Sequence, residues 1–413
     1  MSRGTNKLFL MILFTGLSIF PGCGLPAGIG PPPPFATITQ GPVILPSGLT
    51  APLNPQIVAD GNNHVFIVWQ DINGISYAYS PDGGLTFPPQ YRFPVPGSTG
   101  GTFPRVATDG SGNAFVTWFT GSNNGSILLN YAISNVFQGT IPVSISPVPF
   151  PSAGISPPED IFYGNNSLLI TWSQCTATCN LPSNYEVFAN TTTLSGTLTV
   201  TSITSANFTT STQVSGTASP SVLASGFAGY PKIRQFSAIP YILYQKQSPS
   251  GIFLSILDPI LQKDIKINNS RVSSTVSLEI NNSGKVYTAW NPSGQKPDIF
   301  TSLLSLGGTA FTAEWNVSNN GNSYGPAMGL DSSQYPYIAF LSVPGGGTTY
   351  DVFLTRSSDG GAHYPYIYNM SNTIGNSFSY APGLAIVGKT GYLVWDDNTT
   401  GSRQIYFEKF SLN

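Results

Sequence analysis

The chain has 413 residues with 16 Lys and Arg against 18 Asp and Glu, and charged residues make up only 8% of it, where an average soluble protein has about 25%. No run of basic residues exists to neutralise a row of phosphates, which excludes nucleic acid as a natural partner, and the near-neutral balance excludes electrostatic adhesion to an anionic membrane. Gly 44 and Pro 35 interrupt short runs rich in Val, Ile, Tyr, Phe and Thr, so the class is all-β and solubility rests on Ser, Thr, Asn and Gly.

At the start, Arg3 and Lys7 precede an apolar run of 13 residues, Leu8 to Phe20. This is the pattern of an export signal, and it is too short to span a bilayer. Phe20-Pro21-Gly22-Cys23 resembles a bacterial lipoprotein cleavage site, with Phe20 and Pro21 in place of the Leu and the Ala or Ser that such sites prefer. The resemblance implies a lipid-modified Cys23; cleavage without lipidation is the alternative, and either places the mature protein outside the cytoplasm. Residues 24–34, GLPAGIGPPPP, cannot pack a core and favour extended polyproline geometry. The expected organisation is therefore a signal with a lipidated Cys over 1–23, a tether over 24–34 and one repetitive domain over 35–413, touching the membrane only through its anchor.

The domain repeats. Pro55 to Trp69 (PQIVADGNNHVFIVW) returns without gaps as Pro104 to Trp118 (PRVATDGSGNAFVTW). The same grammar, a strand, a Gly/Asn/Asp turn and an apolar strand ending in an aromatic, places Trp172, Tyr244, Trp290, Phe340 and Trp395 as equivalents of Trp69 and Trp118. A third strand follows each aromatic, often opening on an acidic residue as in Glu186-Val187-Phe188, Asp298-Ile299-Phe300 and Asp351-Val352-Phe353, and a fourth follows a further turn. Repeats of this length with four strands each predict a seven-bladed β-propeller of four-stranded blades. The last repeat lacks a fourth strand, and FATITQ or GPVILPS near residue 40 is expected to supply it and close the ring. The seven aromatics end strands that should lie inside each blade, where structural packing is the expected role and a Trp buries about 150 to 250 Å², with exposed carbohydrate stacking as the alternative.

Two turns between third and fourth strands share one motif. Ser80, Asp82, Gly84, Thr86 and Phe87 recur as Ser357, Asp359, Gly361, His363 and Tyr364, with His363 in the place of Thr. The motif resembles the Asp-box, or bacterial neuraminidase repeat, of sialidase-like β-propellers. The resemblance implies that Ser, Asp and Thr hold the turn and that the aromatic packs inward, so these are structural positions. Sialidase chemistry would require three arginines around a substrate carboxylate, a Tyr-Glu pair and an Asp acid. The arginines beyond the signal are Arg92, Arg105, Arg234, Arg271, Arg356 and Arg403, and the Phe-Arg-Ile-Pro signature of those enzymes has only a scrambled counterpart in Phe103-Pro104-Arg105-Val106. Glu159, Glu186, Glu279, Glu314 and Glu408 match no Tyr-Glu motif, so no catalytic residue is assigned.

Cys175 and Cys179 lie four apart in an exported chain, the pattern of a local disulfide, with metal binding as the alternative. The adjacent acids Asp396-Asp397 and Glu159-Asp160 could ligate calcium but read as solvated loops, and no cofactor or metal is expected. The function these features predict is an exported, lipid-anchored, monomeric platform that binds a protein or a glycan at the cell surface, with residues 175–219 as the most distinctive loop region. A sialidase-like glycoside hydrolase is the alternative.

Overall fold

The computed structural model describes residues 35–45, 52–121, 125–133, 135–138, 143–148, 159–175, 185–194, 212–213, 228–246, 251–256, 263–267, 273–292, 297–343, 349–371 and 379–413. The signal, the tether, Cys23, Cys179, Arg271 and most of residues 175–219 lie outside them. Among the described residues every regular element is a strand except one 3-10 turn at Pro89–Tyr91.

In chain order, β1 (Ala36–Leu45) is followed by β2 (Leu53–Ala59), β3 (Val65–Asp71), β4 (Gly74–Ser80) and β5 (Arg92–Pro94), which form one sheet from inside to outside. The next holds β6 (Thr102–Thr108), β7 (Ala114–Thr120), β8 (Gly125–Ile133), β9 (Val136–Phe137) and β10 (Val143–Val148). Three meanders of four follow: β11 (Glu159–Gly164) to β14 (Thr212–Gln213), with β12 (Ser167–Cys175) and β13 (Tyr185–Thr193); β15 (Ala228–Phe236) to β18 (Lys263–Lys266), with β16 (Ile239–Lys246) and β17 (Gly251–Ile256); and β19 (Ser273–Ile280) to β22 (Trp315–Asn316), with β20 (Val286–Pro292) and β21 (Phe300–Leu304). Then come β23 (Ser323–Leu330), β24 (Pro336–Ser342), β25 (Asp351–Arg356) and β26 (Tyr366–Asn369), and finally β27 (Ser379–Val387), β28 (Thr390–Asp397) and β29 (Gln404–Leu412), with β1 as the outer strand on β29.

The expectation of seven uniform four-stranded blades is thereby corrected. The β-propeller has six blades of four strands each, and the sheet of residues 102–148 carries five. The reason is the length of β8, whose outer edge is divided: β10 covers Gly125 to Leu129 and β9 covers Ala132 and Ile133. Asn135, with φ at 68°, turns the chain back for β9, and Phe137 then packs edge-on against Tyr77 and Phe93 of the preceding sheet at 5.1 and 5.9 Å. The extra strand is an anchor for that ring.

Sheets pack face to face, and Trp69, Trp118, Trp172, Tyr244, Trp290, Phe340 and Trp395 are all at most 2% exposed. Each lies at the interface with the preceding sheet: Trp118 packs with Phe66, Val68 and Tyr77, and Trp172 with Phe115, Ile127 and Leu129. The innermost strands leave an unpaired edge toward the axis. Pro55, Pro104, Pro231, Pro326 and Pro382 sit on it at register shifts, where a residue without N–H costs no ladder bond.

A candidate binding site in the central channel

The inner strands β2, β6, β11, β15, β19, β23 and β27 surround a central cavity of about 640 Å³. Register identifies what each contributes. The residue opposite the position just before each blade aromatic is Gln56, Arg105, Asp160, Lys232, Ser277, Ala327 or Gly383. Three consecutive strands thus carry charge at one level, and Arg234 and Glu279 add charge two residues further along. β23 and β27 contribute small or apolar residues to the wall, among them Ala327, Gly329, Pro382 and Ala385.

Asp160 is the hub of the charged half. Its Oδ2 accepts the Ile233 backbone N–H at 3.1 Å and Arg234 Nη1 at 3.2 Å, and its Oδ1 lies 3.7 Å from Lys232 Nζ. In the equivalent slot Ser277 Oγ accepts the Met328 N–H at 3.0 Å, so at these two strands the position stitches one sheet to the next. Arg234 donates Nη2 and Nε to Glu279 Oε1 at 2.9 and 3.1 Å, donates Nη1 to the Ile233 carbonyl at 2.8 Å and lies over the Phe162 ring. Burial opposes its charge, but the Glu279 and Asp160 carboxylates outweigh burial and raise its pKa. Lys232 goes the other way. Burial, chiefly, brings its ammonium down to about 8, and the Arg105 and Arg234 charges add to that against the pull of Asp160.

Aromatic rings border these charges. Phe103, Phe162 and Tyr163 line the cavity beside Arg105, whose Nη1 donates to the Pro104 carbonyl at 2.8 Å. Phe103 has φ at 53°, matching Asn54 at 53° and Gly325 at 62° in the equivalent bulges. A bulky residue pays steric strain in that left-handed region where glycine does not. Its N–H donates to Gln70 Oε1, as that of Gly325 does to Asn291 Oδ1, so the bulge is imposed by a neighbouring side chain.

The turns singled out in the sequence lie away from the cavity. Ser80 Oγ donates to Asp82 Oδ1 at 2.7 Å and accepts the Gly84 N–H at 2.8 Å, while Asp82 accepts the Thr86 N–H and hydroxyl at 2.8 and 2.7 Å. Phe87 is buried against Phe407 at 4.8 Å. In the second turn Ser357 and Gly361 repeat these bonds, Tyr364 is buried, and His363 takes the place of Thr, giving its N–H and ring Nδ1 to Asp359 at 2.9 and 2.5 Å. Burial works against the Asp359 charge, but the hydrogen bonds from His363 and Ser357 outweigh it and bring the carboxyl down to about 2. A Cβ on Gly84 or Gly361 would meet Phe407 or Tyr287 at 2.5 or 2.7 Å.

Of the arginines, only Arg105 and Arg234 line the cavity among the described residues. Arg92 lies on the outer strand β5, Arg356 covers the Tyr335 and Tyr337 rings and donates to the Asn413 carbonyl, and Arg403 pairs with Asp396 at 3.4 Å. Asp160, read from sequence as a loop acid, is instead a partner of Lys232 and Arg234, and Asp396 and Asp397 are strand residues with no exposed surface. Cys175 ends β12, and its pairing with Cys179 lies outside the described residues. Sequence reading did not weigh Phe103, Lys232 or Glu279 as a set; aligning the strands on the blade aromatics would have placed Lys232 beside Arg105 and Asp160.

No family model matches the chain, and no curated protein matches it either. Among solved structures, a protein of unknown function from Dyadobacter fermentans aligns at a TM-score of 0.53 with 10% identity, over 92% of this chain and 100% of its own. YCF48 from Cyanidioschyzon merolae aligns at 0.48 with 13% identity, over 90% and 99%, and a leech intramolecular trans-sialidase at 0.46 with 12%, over 88% and 68%. The first of these likenesses shows the β-propeller fold and no activity.

Proposed function

We propose that this protein is an exported, lipid-tethered β-propeller that binds a saccharide at its central channel without cleaving it. The observation that carries the reading is the wall of the cavity, where Phe103, Phe162 and Tyr163 stand beside Arg105, Asp160, Lys232 and Glu279. Aromatic faces suit the C–H surface of a sugar ring, and charged groups of both signs suit its hydroxyls and any acidic substituent. Phe103 adds weight, because an aromatic kept in a strained backbone where an equivalent strand has Gly points to a use for its ring. Against hydrolysis stands Arg234. It holds both cavity carboxylates, Asp160 and Glu279, so no uncommitted carboxyl pair stands among the described cavity residues for ordinary glycoside cleavage, and only two arginines line the cavity there, where a sialidase needs three around its substrate carboxylate.

Binding to an immobilised panel of neutral, uronic-acid and sialic-acid oligosaccharides tests this. The full chain binds at least one member, and Phe103→Gly weakens that binding at least tenfold while the melting temperature does not fall, since the substitution removes strain with the ring. Undiminished binding by that variant, or release of free sugar from any member, overturns the reading. The tether rests on Leu8 to Phe20 and Cys23. In the native host, Cys23→Ser moves the protein from the membrane to the soluble fraction, and a wild-type protein already soluble there removes the anchor.

A further inference from the structure

We propose that Lys232 captures carbonyl compounds, forming a reversible imine with a small 2-oxo acid or aldehyde acid held in the central cavity. The proposal goes beyond saccharide binding and does not depend on it. Lys232 keeps a quarter of its side-chain surface accessible and borders the cavity with Arg234 two residues along its own strand and Arg105 two inner strands away, beyond Asp160. Arg234 is committed to Glu279 and Asp160, and Asp160 Oδ1 lies 3.7 Å from the amine. A lysine crowded by burial and by other cations is the form of this residue that works as a nucleophile. The opposite wall, with Ala327, Gly329 and Ala385, leaves room for the body of a ligand.

The chemistry balances without a further reagent. The uncharged Nζ gives its lone pair to the carbonyl carbon as the carbonyl π pair moves to oxygen, and Asp160 carries the proton from nitrogen to that oxygen. The nitrogen lone pair then forms the C=N bond as the hydroxyl leaves, and Asp160 passes to it the proton still on nitrogen, so that a neutral imine and water are formed. Water reverses both steps. The carboxylate of the ligand reaches across Asp160 to the Arg105 guanidinium two inner strands away, which favours a carbonyl that carries an acid next to it.

With its ammonium brought down to about 8, about a tenth of Lys232 is uncharged at pH 7, against roughly one in 2,500 of an ordinary lysine. The lower basicity gives back part of that advantage, so a tenfold difference is a conservative expectation. Incubating the full chain with glyoxylate and cyanoborohydride, which reduces the imine to a stable carboxymethyl amine, followed by peptide mapping, reads the rate at each lysine. Lys232 is modified at least ten times faster at pH 7 than the exposed Lys266 and Lys389, and its rate levels off above about pH 8 while theirs go on rising. Lys232→Arg loses the cavity label and keeps the wild-type melting temperature. Modification of Lys232 no faster than that of Lys266 and Lys389, or a rate that rises with pH in step with theirs, overturns the proposal whatever the outcome of saccharide binding.

Discussion

Asp396 and Glu408 lie in adjacent strands of the closing sheet with no exposed surface, and none of their carboxyl oxygens has a hydrogen-bond partner among the described residues. Glu408 sits opposite Leu393, on the same face of β29 as Tyr406 and Phe410. Burial pushes both carboxyls up to about 8; for Asp396 the Arg403 guanidinium offsets part of that and the neighbouring Asp397 adds to it. The sign of the consequence is fixed. Below about pH 4 both carboxyls are protonated in the folded and the unfolded chain, and there is no penalty. Between about pH 4 and 8 the unfolded chain releases protons that the folded chain keeps, so stability falls as pH rises, by on the order of 1 kcal/mol per pH unit for each group. Above about pH 8 the decline levels off. Urea unfolding at pH 5 and pH 8 should therefore show the higher midpoint at pH 5, and Glu408→Gln should reduce the difference, with its gain at pH 8. A wild-type midpoint that is level or rises across that range would falsify this account of the two acids.

At the scale of strands and turns, legibility in the sequence followed the strength of the side-chain pattern. The second strands could be read because each ends in a ring buried against the preceding sheet, and a fully buried apolar run is the strongest local signal there is. Outer strands are different. β14 and β22 have two residues each, too few to alternate, and β9 exists because Phe137 finds Tyr77 and Phe93 in another sheet, which no local pattern announces. Turns divide in the same way. Asp60, Asp109, Asn281 and Asp331 each accept the N–H four residues on, and this Asx turn was visible as a recurring Asp or Asn. The β15–β16 hairpin instead turns on Ser237 and Ala238 with φ at 49° and 65°, positions where Asn and Gly would have been the readable choice. The charged cavity wall was legible only residue by residue. Arg105, Asp160, Lys232 and Glu279 come from four separate strands, and their mutual meaning arises when the sheets close around an axis.

On the scale of the whole molecule, the sheet that joins β1 to β29 decides whether the sheets form a ring or an open stack. β1 contributes little by its own faces, since most of it is exposed and Ile38 is 47% so. Its ends do the holding. Leu45 is buried with Ile405 and Phe407, and Phe35 is buried edge-on against Tyr368 at 4.6 Å and Tyr337 at 5.8 Å, while its carbonyl accepts the Asn413 N–H. The Phe35 ring therefore ties the closing strand to the neighbouring sheet of β23 to β26, beside the β1–β29 seam, where the ring is closed by strand pairing and not by continuous chain. Truncating a buried Phe costs about 3 to 5 kcal/mol, and the lower figure applies to a residue at the end of a strand that can relax. Phe35→Ala is expected to lower stability by about 3 kcal/mol, whereas Ile38→Ala in the same strand stays within about 0.5 kcal/mol of wild type. Because the loss falls on the seam, hydrogen exchange in Phe35→Ala should speed up first at the amides of 405–412, with the β11 to β14 sheet retaining its protection. Equal melting of the two variants, or acceleration spread evenly over all the sheets, would mean that the ring is held by face packing alone and that the strand closure is incidental to it.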